Sequence, residues 1–162
     1  MDKTIHVGVD ATTWWNDRGF GRFTRELLKA LCARDSEFRY TLVVDRQPDP
    51  STLPARAEVL VGRTARTVTE SAVGDKSRSL GDMWTLAKSV RAASFDLFFY
   101  PAVYSYYPLP AMVPSVVAFH DTIAERFPKL VFPTRKNHLF WQTKVALAKL
   151  AAKRVMTVSR AS

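Results

Sequence analysis

Two short segments of this chain combine residue types that can act on a hydroxyl or a phosphate. In Phe119-His120-Asp121-Thr122, a histidine and an aspartate follow directly on the apolar run Ser115-Val116-Val117-Ala118-Phe119. An imidazole there can donate to a hydroxyl or phosphate oxygen. A capping or hydrogen-bonded structural histidine fits the same place. The second segment runs from Trp14 through Asn16 and Arg18 to Gly19-Phe20-Gly21-Arg22, just ahead of a helical pattern. Glycine permits close backbone approach, and a helix start offers free N–H groups and the positive end of a dipole. An anion such as a diphosphate could rest on Gly19, Phe20, Gly21 and Arg22. The segment is not a full G-x-G-x-x-G, and a turn that needs glycine for steric reasons explains it equally.

Other candidates are weaker. Tyr104, Tyr106 and Tyr107 lie in an aromatic loop after Tyr100-Pro101. They suit carbohydrate stacking, because tyrosine offers an apolar face and a hydroxyl, or they anchor the loop. Trp14-Trp15 reads as core packing or a domain interface, and His6 and His138 as structural or exposed. One cysteine and three histidines lack metal-ligand spacing, so no metal site is expected. There is no G-x-S-x-G elbow and no P-loop lysine.

The elements that must hold these segments follow from periodicity. Strands are expected at residues 5–9, 40–44, 58–61, 95–100, 115–119 and 154–158. Helices are expected from about Arg22, with Phe23, Leu27, Ala30 and Leu31 on one face, and over 82–93, burying Trp84, Leu86, Ala87 and Val90. A long helix should run from 134 to 152. Residues 71–82 are polar and read as a mobile loop. Strand, loop, helix and strand within the first forty-odd residues make a βαβ unit, so the fold class is α/β: a Rossmann-like, doubly wound, mostly parallel sheet with helices on both faces. Ligands of such sheets bind beyond the carboxyl ends of the strands, where both segments fall.

Composition sets the outer bounds. The 162 residues are 47% hydrophobic, which argues for a globular fold. The single Cys32 points to a reducing, cytoplasmic compartment. The first residues form no secretory apolar region, and no run approaches the length of a membrane span. The net charge of +9 is uneven: residues 126–162 hold nine basic residues and no acidic one, while residues 1–125 hold fifteen of each. This excludes a uniformly cationic coat, and no nucleic-acid motif accompanies the charge, so a nucleic-acid partner is not expected. In the long helix, Leu139, Thr143, Ala146, Leu147 and Leu150 form a stripe expected to pack on the sheet. Trp141, Val145, Ala148 and Ala152 form the opposite one. A basic helix with a spare apolar face can lie on an anionic membrane, which makes 126–154 a candidate for peripheral contact with the membrane's inner face. Burial of the helix on two sides, with solvated lysines, fits as well.

Taken in order, Gly19-Phe20-Gly21-Arg22-Phe23, Phe119-His120-Asp121-Thr122 and Arg154-Val155-Met156-Thr157-Val158-Ser159 resemble the N-terminal domain of a GT-B glycosyltransferase of the retaining family 4 type. The resemblance covers essentially the whole chain. It implies an acceptor-side domain over 1–162, facing a C-terminal donor-binding domain that this sequence lacks. That domain carries two glutamates separated by seven residues in the family, a spacing absent here. The implied reaction moves a sugar from a nucleotide sugar to a glycan or lipid-linked acceptor, with the nucleotide sugar as co-substrate and no bound cofactor. The implied roles put Gly19–Gly21 near the donor diphosphate, with Arg22 as an electrostatic helper. His120 would stand beside the transferred sugar, and Asp121 would support its orientation or contact substrate. Residues 123–134, including Arg126, would line the acceptor side along with the loop tyrosines. The 162-residue chain alone is then expected to be inactive. The alternative is a non-catalytic Rossmann-like module whose basic face binds a membrane or protein partner.

Overall fold

A computed structural model describes residues 4–17, 19–34, 37–62, 80–109 and 113–159. The chain forms β1 (Ile5–Asp10), α1 (Gly19–Ala33), β2 (Phe38–Val44), a 3₁₀ turn at Pro50–Thr52 and β3 (Ala57–Val61). It continues with α2 (Leu80–Ala92), β4 (Leu97–Tyr100), a second 3₁₀ turn at Val103–Ser105 and β5 (Ser115–Phe119). Two short helices, α3 (Ile123–Arg126) and α4 (Pro128–Val131), precede α5 (Arg135–Ala151) and β6 (Arg154–Thr157). The expected loop at 71–82 lies, up to residue 79, outside the described residues, as does Arg160.

All six strands pair in parallel in the order β3-β2-β1-β4-β5-β6. This is the Rossmann-like doubly wound arrangement, whose strand order reverses between β1 and β4. Side-chain alternation splits the sheet's two faces into two cores. On one face Phe98, Tyr100, Val117 and Phe119 pack with Leu86 and Val90 of α2 and with Trp141, Val145 and Ala148 of α5. On the other, Val7, Val9, Leu42, Val44, Phe99 and Ala118 pack with Leu28 and Cys32 of α1. Helix α5 starts where its sequence says it should: Thr134 is the N-cap, and its Oγ1 accepts from the Asn137 amide at 3.2 Å.

Three helix faces differ from the sequence expectation. In α1 the buried line is Gly21, Thr24, Leu28 and Cys32; Phe23, Leu27 and Leu31 flank it half-buried, and Ala30 is exposed. In α2, Leu86, Ala87 and Val90 are buried but Trp84 is 74% exposed. In α5 the two stripes exchange roles. Trp141, Val145 and Ala148 face the core, while Leu139, Leu147 and Leu150 are exposed along with Thr143 and Ala146. The cause in α5 is tertiary. The Trp141 indole N–H donates to Glu125 Oε1 at 2.9 Å, and its ring lies 4.8 Å from that of Tyr104. Ala148, fully buried, lets the helix approach the sheet closely. Among the described residues no helix is long and apolar enough to cross a membrane.

Candidate functional site

The loop after β1 is built on Asp10. This aspartate is fully buried at the strand's end, and its Oδ1 accepts from the Thr12 amide at 3.2 Å and the Thr12 hydroxyl at 2.7 Å. Such an Asx-type turn redirects the chain sharply out of the sheet. The loop is then clipped to α1. The Arg25 guanidinium donates to the carbonyls of Trp14 and, at 3.2 Å, Asn16; the hydroxyls of Thr13 and Thr24 meet at 3.0 Å. Trp14 is buried in the core, and Trp15 lies under the guanidinium of Arg46. Sequence reading passed over Asp10 and Arg25; a carboxylate closing a buried strand ahead of two threonines was the available signal.

The two glycines of α1 have different jobs. A Cβ on Gly21 would stand 1.8 Å from the Asn16 carbonyl oxygen and 2.7 Å from that of Thr13, so this position is glycine because the loop lies on it. A Cβ on Gly19 would meet nothing within 4 Å. The steric reading therefore holds at Gly21, while Gly19 opens the first turn of α1 on clear space. Arg22 is exposed on the same turn, and Phe20 and Phe23 are half-buried.

Those two phenylalanines meet the second motif. His120 follows the end of β5, and its ring stands edge-on to Phe23, 4.6 Å between centroids, and to Phe20 at 5.1 Å. Its Nε2 lies 2.6 Å from the Pro101 carbonyl oxygen after β4. A carbonyl only accepts, so Nε2 carries the hydrogen. Phe20 also packs on Tyr104 at 4.5 Å, across the point where the loops after β1 and β4 diverge. Asp121 is held from two sides: Oδ1 accepts from the Ile123 amide at 3.0 Å, and the carboxylate takes the Tyr104 hydroxyl's hydrogen bond. Burial, followed by the charges of Asp121 and Glu125, pushes the Tyr104 phenol up to about 12. Lys144 adds a bond from its ammonium to the Tyr104 carbonyl.

Beside this cluster, His120, Asp121, Thr122, Ile123, Arg126, Phe127 and Ser159 line an open pocket of about 280 Å³. It lies at the carboxyl ends of β5 and β6, one strand beyond the reversal point between β1 and β4. The sequence candidates thus separate into groups. His120, Asp121 and Arg126 share the pocket; Phe20 and Tyr104 back it through ring contacts; Gly19, Gly21 and Arg22 are not among its lining residues. Tyr106 and Tyr107 are core residues, 3% and 0% exposed. The Tyr106 hydroxyl donates to the Leu147 carbonyl at 3.4 Å, and the Tyr107 carbonyl accepts from the Tyr100 hydroxyl at 2.7 Å. Of the two roles open to the loop tyrosines, these two serve as anchors, out of reach of a surface ligand. His6 is structural, its Nε2 2.8 Å from Thr41 Oγ1 and its Nδ1 2.9 Å from an Arg39 nitrogen, and His138 stacks on Phe132. Comparison with protein-family models and with curated protein sequences finds no match for the chain.

Proposed function

We propose that this chain is the acceptor-side domain of a sugar transferase that uses a nucleotide-sugar donor, with the pocket at His120 holding the acceptor and the reacting sugar. The observation that carries this reading is the packing of Phe20 and Phe23 against His120. It brings the glycine-opened start of α1 and the histidine-aspartate turn after β5 to one end of a doubly wound sheet, beside an open pocket. That is where such folds bind ligands.

Each group then has a task that its surroundings suit. As the bond to the nucleoside diphosphate breaks, negative charge grows on the leaving oxygen and must be stabilised in place. The clear space at Gly19, the start of a fifteen-residue helix and the exposed Arg22 supply positive potential there. His120, held by the Pro101 carbonyl and by the rings of Phe20 and Phe23, lines the pocket beside the sugar. Asp121 keeps the turn rigid through the Ile123 amide and the Tyr104 hydroxyl. Arg126 sits at the pocket's edge, suited to an anionic part of the acceptor. A second domain contributes the remaining donor contacts, so the chain by itself binds rather than turns over, and it works in the cytoplasm, where nucleotide sugars are its co-substrates.

The reading is tested by recording amide shifts of the isotopically labelled chain during titration with nucleoside diphosphates, nucleotide sugars and oligosaccharides. Shifts grouped at 19–23 and 120–127 are expected. Shifts confined to another surface would overturn it.

A further inference from the structure

Towards the amino ends of the strands, away from the pocket, four polar side chains on β1, β2 and β3 close a ring of contacts. The Arg39 guanidinium of β2 reaches His6 Nδ1 of β1 at 2.9 Å. A guanidinium only donates, so Nδ1 accepts and the hydrogen of the neutral imidazole is on Nε2. That N–H donates to Thr41 Oγ1 at 2.8 Å, and the Thr41 hydroxyl donates in turn to Glu58 Oε2 of β3 at 3.1 Å. The other Glu58 oxygen stands 3.6 Å from Arg39 and closes the circuit. The imidazole is also packed edge-on to the Phe95 ring, 4.6 Å between centroids. Its backbone exchanges two hydrogen bonds with Asp96, both 2.9 Å: His6 N–H to the carboxylate, and the Asp96 amide to the His6 carbonyl.

The direction of these hydrogens decides what the ring can do. A histidine beside a threonine suggests a base and its nucleophile. Here Nε2 already carries its hydrogen, the hydroxyl's own proton is directed to Glu58, and Thr41 is only 5% exposed, so the pair is not set up for nucleophilic attack. What remains is protonation of the imidazole. A further proton goes to Nδ1, where it turns an acceptor into a donor facing the donors of a second cation. Among the described residues, the charged groups that face the imidazole are Arg39 from β2, Glu58 from β3 and Asp96, which precedes β4. We propose that the ring of His6, Arg39, Thr41 and Glu58 is an acid-released clasp, which ties β1, β2 and β3 together while His6 is neutral and opens at Arg39 when His6 takes up a proton. Burial, followed by the charge of Arg39, holds the imidazole below its ordinary value of 6.5, against the opposing pull of Glu58 and Asp96. The unfolded chain therefore binds this proton first. Stability tied to the clasp is intact above about pH 6.5 and declines as pH falls towards the lowered folded value. Acid thus loosens the amino end of the sheet, and the proposal does not rest on the sugar-transfer reading.

The test follows His6 by nuclear magnetic resonance of the labelled chain, together with unfolding in urea between about pH 7.5 and 5. At neutral pH the ring-nitrogen shifts should show the hydrogen on Nε2 and none on Nδ1, and His6 should titrate below 6.5. Arg39→Gln should move that titration upward, towards 6.5. Protection of the amides at 5–8 and 38–41 against hydrogen exchange should fall in acid. His6→Gln keeps an acceptor and a donor but cannot titrate. The wild type's unfolding constant should therefore rise in acid relative to that of His6→Gln, by at most about tenfold per pH unit. A hydrogen on Nδ1 at neutral pH, titration at or above 6.5, or a titration unmoved by Arg39→Gln would overturn the proposal. Equal acid sensitivity in the wild type and His6→Gln would overturn it as well. The tautomer and the titration are read on the wild type, so they decide the matter even if a variant fails to fold.

Discussion

The imidazole of His120 meets the ring of Phe23 edge to face, with centroids 4.6 Å apart and planes at 85°. This one contact joins the start of α1 to the end of β5, two strand positions away across the sheet. With the Pro101 carbonyl on its other side, the ring is held by elements that follow β1 and β4 as well as by its own strand. A side chain fixed by three separate connections is positioned by the fold and not by its own loop.

The first prediction concerns that contact. In a double-mutant cycle with Phe23→Ala and His120→Ala, unfolding in urea should show a coupling of about 0.5–1.5 kcal/mol. Simple additivity would mean that the rings do not interact in solution.

The two glycines of α1 should respond in opposite directions. Gly21→Ala forces the Asn16 carbonyl aside and should cost roughly 1–3 kcal/mol. Gly19→Ala meets open space in a helical position and should stabilise by up to about 0.5–1 kcal/mol. Thermal unfolding of the two variants decides the matter, and destabilisation by Gly19→Ala would contradict the geometry.

Tyr104 gives a signature in alkaline solution. Its folded-state value, about 12, is above the ordinary phenol value of 10.0. Stability linked to it is therefore intact below about pH 10 and declines as pH rises toward 12, because the unfolded chain gives up this proton first. Burial also raises Tyr106, so it too should ionise late. Absorbance at alkaline pH should show this delay, and Tyr104→Phe should remove one late titration. An unchanged profile in that variant would mean that Tyr104 is not among the late-titrating phenols.

The orientation of α5 is open to a direct check. Ala148→Leu overfills the core and should cost about 1–3 kcal/mol, whereas Leu150→Ser should change stability by no more than about 0.5 kcal/mol. The reverse order would restore the orientation that the sequence suggests.

That orientation marks where the sequence stops being informative. The run at 115–119 is β-branched and apolar and becomes β5 over the same residues, and Thr134 announces α5 as its N-cap. Such local signals come from propensity and capping, which act within a few residues. The face of α5 does not, because both its stripes are apolar. The choice depends on partners far along the chain: Tyr104 for the Trp141 ring and Glu125 for its indole N–H. Trp84 stays exposed, although its helix was legible. At the site, His120 and Asp121 could be recognised because they end a strand. The burial of Tyr106 and Tyr107 could not, since a loop rich in tyrosine looks the same whether its rings face water or core. The connection of Phe20 and Phe23 to His120 is likewise a product of strand order, which no local pattern encodes.

The central claim is that His120 belongs to a sugar-transfer site completed by a donor-binding domain. The most direct measurement joins the chain to such a domain and follows transfer from a nucleotide sugar to a lipid-linked acceptor, for the wild type and for His120→Ala. The account predicts measurable transfer by the joined protein, none by the 162-residue chain alone, and a loss of roughly a hundredfold or more in the His120 variant. Equal rates with and without the imidazole, or turnover by the chain alone, would contradict it.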